Sequence, residues 1–550
     1  MTDSPARPVS DPRPADWVTH GEVPPAWSAV PQQTLIELLV EGCREDPERP
    51  LVIIDEGPVM TRRDFLARCE AFAGYLGAVV SPGDRVAVML DNRLEYLIAF
   101  FAIVANRGIL VSIAPTAKAH DAGHIMRDAA PVALIHGPPQ VAVVAEIAKE
   151  RSFAAIDLEG EEPNGLAPFG AEPLDFTDCA CERSDSVSVY YTSGTTGAPK
   201  GCLLHHGWWL RVVDIDLRLF PRGWQDRQLC VLPFYYADPT IQLLVSLASR
   251  GTLIAMRRFS VSRFWEVVTK YDATEVLSIA SIPALLMTGK PSPAERDHRI
   301  RLAIHAALPK EIHRALIERY GFHWHNQYGS TEGGIMTRVP EGLADELVGS
   351  GTLGVEPPGV SLRIVDDQDQ DVPPGEVGEA LVAGLDLYQG YLNRPEVTAE
   401  ANRGGWYHSG DLIRRDERGL LYFVGRRKEV IRRSGENISA SEVEAVLAAH
   451  PLIVEAAVVP VPDPIRGEEV KAYLLLAEGA DADSLPPEAV IAHCAEQIAG
   501  FKLPRYLAYR SEDFPRLPSM KVDKQTLKAA TADLTEGAWD REAAGRGGAG

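Results

Sequence analysis

The amino-acid sequence predicts an α/β protein: a large N-terminal domain of layered parallel-sheet subdomains plus a small antiparallel subdomain, followed by a small α+β C-terminal domain. Short apolar stretches typical of buried strands, such as 51–54 and 86–90, alternate with helical stretches. This alternation favours a mainly parallel sheet that is covered on both faces. From residue 362 the pattern changes to short strands separated by turn signals, which indicates an antiparallel unit. Beyond residue 425 it changes again, to a compact α+β pattern.

The elements begin with local signals along the chain. A capping box at 34–37 opens the first helix, and Thr61 opens a second helix with one apolar face. A second capping box, at 439–442, opens a helix of the C-terminal unit. The remaining expected elements are a helix at 94–104, strands at 109–111, 132–135, 187–191, 454–461 and 470–476, and a helix near 489–499. The Pro-rich start up to about Trp17 and the tail after about residue 530 are expected to be disordered.

Composition excludes several classes of protein. The 550 residues include 55 Lys and Arg against 77 Asp and Glu, so the net charge of −22 argues against a protein that coats nucleic acid or anionic membrane. The seven scattered cysteines have no metal-site spacing and indicate reduced thiols. The N-terminus lacks the apolar core of a signal peptide, and the longest apolar run, 97–105, is too short to cross a bilayer. We therefore expect a cytoplasmic protein without nucleic-acid or membrane partners; its oligomeric state stays open.

A Gly/Thr-rich turn follows the expected strand at 187–191 and is the most informative segment. Its glycines let the backbone aim successive N–H groups at an anion, and its hydroxyls add donors. Lys200 supplies a mobile positive charge for phosphate oxygens. Open α/β sheets bind ligands at this end of their strands. We predict a phosphate-binding loop made of Thr192, Ser193, Gly194, Thr195, Thr196, Gly197 and Lys200.

This loop and later motifs resemble those of the adenylate-forming superfamily, which includes acyl-CoA synthetases, adenylation domains of peptide synthetases and luciferases. The resemblance extends over roughly 35–527, and two segments, 259–265 and 294–300, look most like crotonobetaine/carnitine-CoA-ligase-type enzymes. The motifs that carry it after the loop are Asn326-Gln-Tyr-Gly-Ser-Thr-Glu332, Gly405-Trp-Tyr-His-Ser-Gly-Asp411, Gly425-Arg-Arg-Lys-Glu-Val-Ile, Gly435-Glu-Asn-Ile-Ser-Ala-Ser-Glu-Val-Glu444 and Lys521.

The resemblance implies an ATP- and Mg²⁺-dependent acid–CoA ligase. A carboxylate would attack the α-phosphorus of ATP and release pyrophosphate, and the CoA thiol would then displace AMP. Such a transfer depends on positioning and charge stabilisation. The implied phosphate-side roles are a magnesium ligand in Glu332, an α-phosphate contact in Thr331, a phosphate contact in Lys200 and a catalytic cation in Lys521. The implied nucleoside-side roles are adenine contacts in Tyr328 and Asn326, a ribose acceptor in Asp411, and a ribose or phosphate contact in Arg426. Gly329 is a further expected nucleotide-binding residue.

The same resemblance implies that two domains, 1–427 and 428–550, alternate between the half-reactions. The small mobile domain would rotate about a hinge at Lys428. Gly435 would then form the wall of a pantetheine tunnel, where a side chain would clash. One departure is Met520, which stands before Lys521 where the family usually has glycine.

The acyl pocket is expected to contain Tyr235, Tyr236, Asp238, Ser281, His305, Ala306, Ser330 and Gly333. Asp238 is unusual there, because an unpaired buried carboxylate is costly. It could receive a cationic or amino group of the substrate, or it could cap the helix near Pro239; both alternatives stay open.

The acid and the acceptor also stay open. The acyl group could pass to a carrier-protein thiol instead of CoA. The enzyme could also activate an unusual acid, such as nitrite in diazo formation. A degenerate nucleotide-binding partner is a third alternative, suggested by Met520 and the pocket departures.

Overall fold

The structure is a computed structural model that describes residues 30–158, 172–192, 199–279, 282–433, 436–516, 522–530 and 533–543. The helices are α1 (Leu35–Arg44), α2 (Arg62–Leu76), α3 (Leu94–Ala105), α4 (Ala119–Ala129), α5 (Val141–Ile147), α6 (His206–Leu219), α7 (Ala237–Ser249), α8 (Val261–Lys270), α9 (Ile282–Thr288), α10 (Lys310–Tyr320), α11 (Pro395–Ala401), α12 (Ala440–Ala448), α13 (Pro487–Ala495) and α14 (Lys524–Ala529).

The described residues also form strands, numbered here along the chain. They are β1 (Pro50–Ile54), β2 (Val59–Thr61), β3 (Arg85–Met89), β4 (Ile109–Ser112), β5 (Ala133–His136), β6 (Ala154–Asp157), β7 (Ser186–Thr192), β8 (Lys200–His205), β9 (Arg227–Cys230), β10 (Thr252–Ala255), β11 (Glu275–Ile279), β12 (Leu302–Ala306), β13 (Trp324–Ser330), β14 (Gly334–Arg338), β15 (Ser361–Val365), β16 (Val377–Ala383), β17 (Gly390–Tyr391), β18 (Tyr407–Arg415), β19 (Leu421–Arg426), β20 (Val430–Arg433), β21 (Glu436–Ser439), β22 (Ile453–Asp463), β23 (Gly467–Leu476), β24 (Tyr506–Arg510) and β25 (Trp539–Asp540).

Within the described residues these strands form four sheets. Two are large and mainly parallel, with the orders β14-β13-β12-β11-β9-β10-β1-β2 and β17-β8-β7-β4-β3-β5-β6. The third, β15-β16-β18-β19, is antiparallel. The fourth, β21-β20-β23-β24-β25 with β22 beside β23, is built from strands after residue 429. The architecture confirms the predicted fold class.

At both predicted capping boxes the N-cap side chain accepts the expected backbone hydrogen bond. Thr34 Oγ1 accepts a hydrogen bond from the backbone N–H of Glu37 at 3.1 Å, so α1 begins where its sequence indicates. Ser439 Oγ accepts from the N–H of Glu442 at 3.3 Å and opens α12. These side chains satisfy N–H groups that have no partner within the first turn of a helix.

One apolar core joins the two large sheets. It includes Val52 of β1 from one sheet and Leu110 of β4 from the other, together with residues of α3, α6 and α7. Helix α3 is buried on every side, which explains its nearly continuous apolar sequence. Tyr391 of β17 links the two sheet ends, because its ring lies next to Lys200 of β8 and its hydroxyl bonds to Glu332 between β13 and β14.

The end of the chain differs from the prediction. The predicted disorder after about residue 530 is wrong for residues 533–543. Trp539 pairs with Leu507 and adds β25 to the edge of the fourth sheet. The Trp539 side chain packs on the C-terminal core, and Arg505 pairs with Asp540 at 3.2 Å. The predicted disordered start and residues 544–550 lie outside the described residues. No helix in the described ranges has the length and apolar character needed to span a bilayer.

Candidate active site

Strands β7 and β8 bring the two ends of the predicted phosphate loop together. Thr192 and Lys200 are register partners in this antiparallel pair, and Thr192 Oγ1 lies 3.5 Å from the carbonyl oxygen of Lys200. The loop residues between them, Ser193, Gly194, Thr195, Thr196 and Gly197, lie outside the described residues. The strand pair therefore fixes the base of the loop and the starting point of Lys200.

Tyr391 connects Lys200 to Glu332. The Lys200 ammonium lies 4.1 Å from the centroid of the Tyr391 ring, and the Tyr391 hydroxyl donates to Glu332 Oε1 at 2.9 Å. Burial and the Glu332 charge raise the pKa of Tyr391, so its hydroxyl stays protonated and can donate. The motifs identified Lys200 and Glu332 but not Tyr391, which reaches the site because β17 pairs with β8.

Glu332 is suited to be the predicted magnesium ligand. Its buried carboxylate offers oxygen atoms, the ligands that Mg²⁺ prefers, and magnesium is commonly held by one or two carboxylates plus phosphate oxygens. The hydrogen bond from Tyr391 holds one of these oxygens in place. The residues present around Glu332 therefore fit a magnesium ion.

Tyr328, Asp411 and Arg426 form a second cluster. The Tyr328 hydroxyl donates to Asp411 Oδ2 at 2.6 Å, while Arg426 Nε lies 3.2 Å from Asp411 Oδ1. Burial, followed by the Asp411 charge, raises the pKa of Tyr328 far above its ordinary value. Asp411 and Arg426 are register partners on β18 and β19, whereas Tyr328 comes from β13 of a different sheet. Packing of the sheets thus assembles the expected ribose-binding carboxylate.

The turn between β13 and β14 is rigidly supported. Ser330 Oγ accepts from the N–H of Gly333 at 3.1 Å, and the guanidinium of Arg211 donates to the Gly333 carbonyl at 2.9 Å. At Gly329 a Cβ would lie 2.3 Å from the Gly334 carbonyl oxygen, so the close strand approach requires glycine. The turn holds the part-buried Thr331 next to Glu332, at its tip. Arg211 was not among the predicted residues. A charged residue within the mostly apolar helix α6 was the sequence signal that could have identified it.

Asn326 and His305 are engaged inside the protein. Asn326 Oδ1 accepts from the N–H of Leu308 at 3.0 Å, and its amide nitrogen donates to the Thr352 carbonyl at 2.8 Å. His305 is fully buried, with Nδ1 2.8 Å from Ser278 Oγ. Asn326 therefore supports the turn that follows β12 and Ala306.

A cavity of about 30 Å³ is enclosed by α6, α7 and strands β9 and β11–β14. Asp238 is among its lining residues. Tyr235 and Tyr236 directly precede α7, and their ring centroids are 4.6 Å apart. Asp238 is the second residue of α7, whose N-cap is Tyr236, so Asp238 is not the N-cap of this helix. The predicted pocket residue Ser281 lies outside the described residues.

The C-terminal site residues are described only in part. Lys521 and Gly435 lie outside the described residues, and of Lys428 only the backbone, in a short 3-10 turn at Arg427–Glu429, is described. Lys524 is engaged within the structure: its ammonium lies 2.8 Å from Glu444 Oε1 and 3.2 Å from Glu429 Oε2.

Comparisons with known proteins agree with this geometry. Residues 39–392 match the family of AMP-binding enzymes, and residues 442–521 match the AMP-binding enzyme C-terminal domain. A crotonobetaine/carnitine–CoA ligase from Salmonella typhi is 30% identical over 479 residues, covering 82% of this chain and 89% of the ligase.

Solved structures resemble about nine-tenths of the chain. ATP-bound MatB from Rhodopseudomonas palustris has a TM-score of 0.80 and 26% identity, covering 91% of this chain and 100% of that chain. The o-succinylbenzoate CoA synthetase from Bacillus subtilis, in complex with the acyl-adenylate intermediate OSB-AMP, also has a TM-score of 0.80 and 26% identity, with coverages of 89% and 97%. The chain therefore belongs to the family of AMP-binding enzymes, within the adenylate-forming superfamily, and is an AMP-forming acyl-CoA synthetase.

Proposed function

We propose that this enzyme activates a carboxylic acid as acyl-AMP, with release of pyrophosphate, and then transfers the acyl group to the thiol of CoA. The observation that carries the proposal is the turn after β13. Tyr328, near the end of β13, reaches Asp411, and Glu332, in the turn, reaches Tyr391 beside Lys200. One short segment therefore supports a ribose site and a triphosphate site at neighbouring positions.

In the first half-reaction, a carboxylate oxygen bonds to the α-phosphorus of ATP and the bond from that phosphorus to the bridging oxygen of pyrophosphate breaks. Lys200 would bind the departing phosphates, and Thr331 would contact the α-phosphate. When bound, Mg²⁺ would offset phosphate charge, with Glu332 as its protein ligand. Asp411 would accept from the ribose hydroxyls while Tyr328 and Arg426 hold its carboxylate in place. Positioning of this kind supplies most of the catalysis in phosphoryl transfer.

In the second half-reaction, the CoA sulfur bonds to the acyl carbon and the bond to AMP breaks. A free thiol has a pKa of about 8.5, so thiolate is present near neutral pH without a strong base. We place the boundary between the domains at residues 427 and 428, with the hinge at Lys428. The separate core built from strands after residue 429 supports this division. Gly435 and Lys521 would alternate at the acyl-adenylate.

Two measurements test the proposal. Exchange of labelled pyrophosphate into ATP, in the presence of Mg²⁺ and a panel of acids, should occur with at least one acid. Mass spectrometry of the product formed with CoA or with a holo-carrier protein then identifies the acceptor, and we expect acyl-CoA. Absence of exchange with every acid would contradict the adenylation step, and loading of the carrier protein alone would contradict the CoA step.

A further inference from the structure

A stripe of helix α7 lines the cavity that is enclosed by α6, α7, β9 and β11–β14. Asp238, Ile241, Gln242 and Val245 all line it, at positions i, i+3, i+4 and i+7. Residues with this spacing share one face of a helix. The two other uncharged polar side chains of the wall, Gln228 and Gln327, already bond to Ser246 and Arg338. The two polar side chains of the stripe lie one helical turn apart and are candidates to bind a polar group in the cavity.

The other charges around the cavity cancel. Besides Asp238, the charged side chains among its lining residues are two arginines, Arg222 and Arg338, which pair with Asp216 and Glu275. Arg222, for example, lies 2.8 Å from Glu275 and 3.0 Å from Asp216. These arginines are therefore already neutralised, and the charge of Asp238 is additional to the balanced set.

Asp238 has no counter-ion in the part of the chain that the structure describes. No Lys, Arg or His nitrogen there lies within 4.0 Å of its carboxylate. Burial raises the pKa of Asp238, which is the expected response of a carboxylate without a cation. A bound cation would remove this cost, because a buried charge is tolerated when it is paired.

Gln242 adds an unused acceptor beside it. The side chain is only 2% exposed, and its Oε1 has no hydrogen-bond partner among the residues that the structure describes. Its amide nitrogen lies 3.4 Å from the Leu229 carbonyl oxygen, which excludes the flipped amide because two acceptor oxygens would then face each other. Asp238 and Gln242 thus offer acceptors to the same cavity.

We infer that this pocket takes an acid carrying a primary ammonium group, with the nitrogen bound between Asp238 and Gln242. The inference rests on the proposed acid activation and names its substrate class. An ammonium group donates N–H bonds to both acceptors and supplies the missing positive charge. The cavity volume of about 30 Å³ is enough for a group of water size. A trimethylammonium group is far larger and has no N–H to donate.

Matched acids test the substrate class. Pyrophosphate exchange is measured with the wild-type enzyme on straight-chain ω-amino acids and on aminobenzoates. Each acid is compared with the analogue that has methyl, and with the analogue that has trimethylammonium, in place of the ammonium group. We expect a clear preference for the ammonium member of at least one set. Exchange with neutral acids only would overturn the inference and leave the proposed function intact; exchange with no acid would contradict the proposed function itself.

Variants test the two residues. In Asp238→Asn, which keeps the side-chain shape, the ratio of kcat/KM for the ammonium acid to that for its methyl analogue should fall by roughly 100-fold, because one partner of a buried pair is lost. Gln242→Leu should lower the same ratio by roughly tenfold. Asp64→Asn removes an exposed first-turn carboxylate of α2 and should leave the ratio unchanged. An unchanged ratio in Asp238→Asn would overturn the inference. If that variant does not fold, the wild-type preference among the three analogues still decides it.

Discussion

The Tyr328 hydroxyl donates a hydrogen bond to Asp411 Oδ2 at 2.6 Å, although 83 residues separate the two along the chain. The contact joins β13 of a large sheet to β18 of the antiparallel sheet. A phenol that is kept protonated by burial is thereby used to orient a carboxylate at the proposed ribose site. The stability of this contact should control how well the enzyme binds ATP.

Tyr328→Phe should raise the KM for ATP by roughly tenfold with a small change in kcat. A hydrogen bond to a charged group contributes about 1.5–3 kcal/mol, and the contact serves binding in both the ground state and the transition state. Steady-state kinetics with varied ATP measure the effect. Tyr422→Phe is the matched control, because the Tyr422 hydroxyl donates at 3.1 Å to Asp416, a carboxylate with no proposed role in nucleotide binding. An equal rise of KM in both variants would contradict the assigned role.

Tyr391→Phe should lower kcat/KM for ATP by roughly tenfold and raise the Mg²⁺ concentration needed for half-maximal activity. The variant keeps the ring beneath Lys200 but removes the hydrogen bond to Glu332. Tyr391→Leu also removes the cation–π contact and should cost a further factor of a few.

A remote trio provides the control for Tyr391. The ammonium of Lys270 lies 4.7 Å from the Tyr271 ring, and the Tyr271 hydroxyl donates to Asp55 at 3.2 Å. Tyr271→Phe should therefore leave the Mg²⁺ requirement unchanged. If Tyr391→Phe also leaves it unchanged, the proposed arrangement around Glu332 is wrong.

The stability of the protein should fall in acid partly through His206. Its Nδ1 accepts from the backbone N–H of Leu35 at 2.9 Å, and burial lowers its pKa to about 4. Because the ordinary pKa is about 6.5, the unfolded chain binds the extra proton first. The stabilisation is complete above pH 6.5 and is lost as the pH falls towards 4, by about 3 kcal/mol at most.

Urea unfolding over this pH range checks the contribution of His206. His206→Asn keeps an acceptor for Leu35 but cannot titrate, so its free energy of unfolding should depend less steeply on pH. His120→Asn removes an exposed histidine and should keep the wild-type slope. Equal slopes in wild type and His206→Asn would refute the prediction.

Two nearby lysines should behave differently. Lys521→Ala should abolish adenylate formation while still converting supplied acyl-adenylate to product, as expected if the C-terminal domain rotates between the half-reactions. Lys524→Met should instead lower the stability by about 2 kcal/mol and affect both half-reactions alike, because Glu444 and Glu429 lose their partner. Pyrophosphate exchange, thiolysis of synthetic acyl-AMP and thermal unfolding separate these outcomes. Equal loss of both half-reactions in Lys521→Ala would contradict the rotation.

The fold was predictable where the signals are local. The capping boxes at Thr34 and Ser439 position α1 and α12 correctly, because a side chain and the N–H it binds lie three residues apart. The alternation of apolar strands and helices likewise indicated parallel sheets. The added strand β25 was missed, because a two-residue edge strand depends on the neighbouring β24 rather than on its own sequence.

The sequence by itself determined which charged and hydroxyl-bearing residues stand in the phosphate loop, at Glu332 and at Asp411. Each of these motifs is a continuous run of residues, so it can be recognised without the fold. Only the tertiary structure decided their partners. Tyr391 reaches Glu332, and Gln242 faces the same cavity as Asp238, because sheet pairing and helix packing bring distant or unremarked side chains together. A hydrogen bond acts over about 3 Å in space, and distance along the chain does not report that separation.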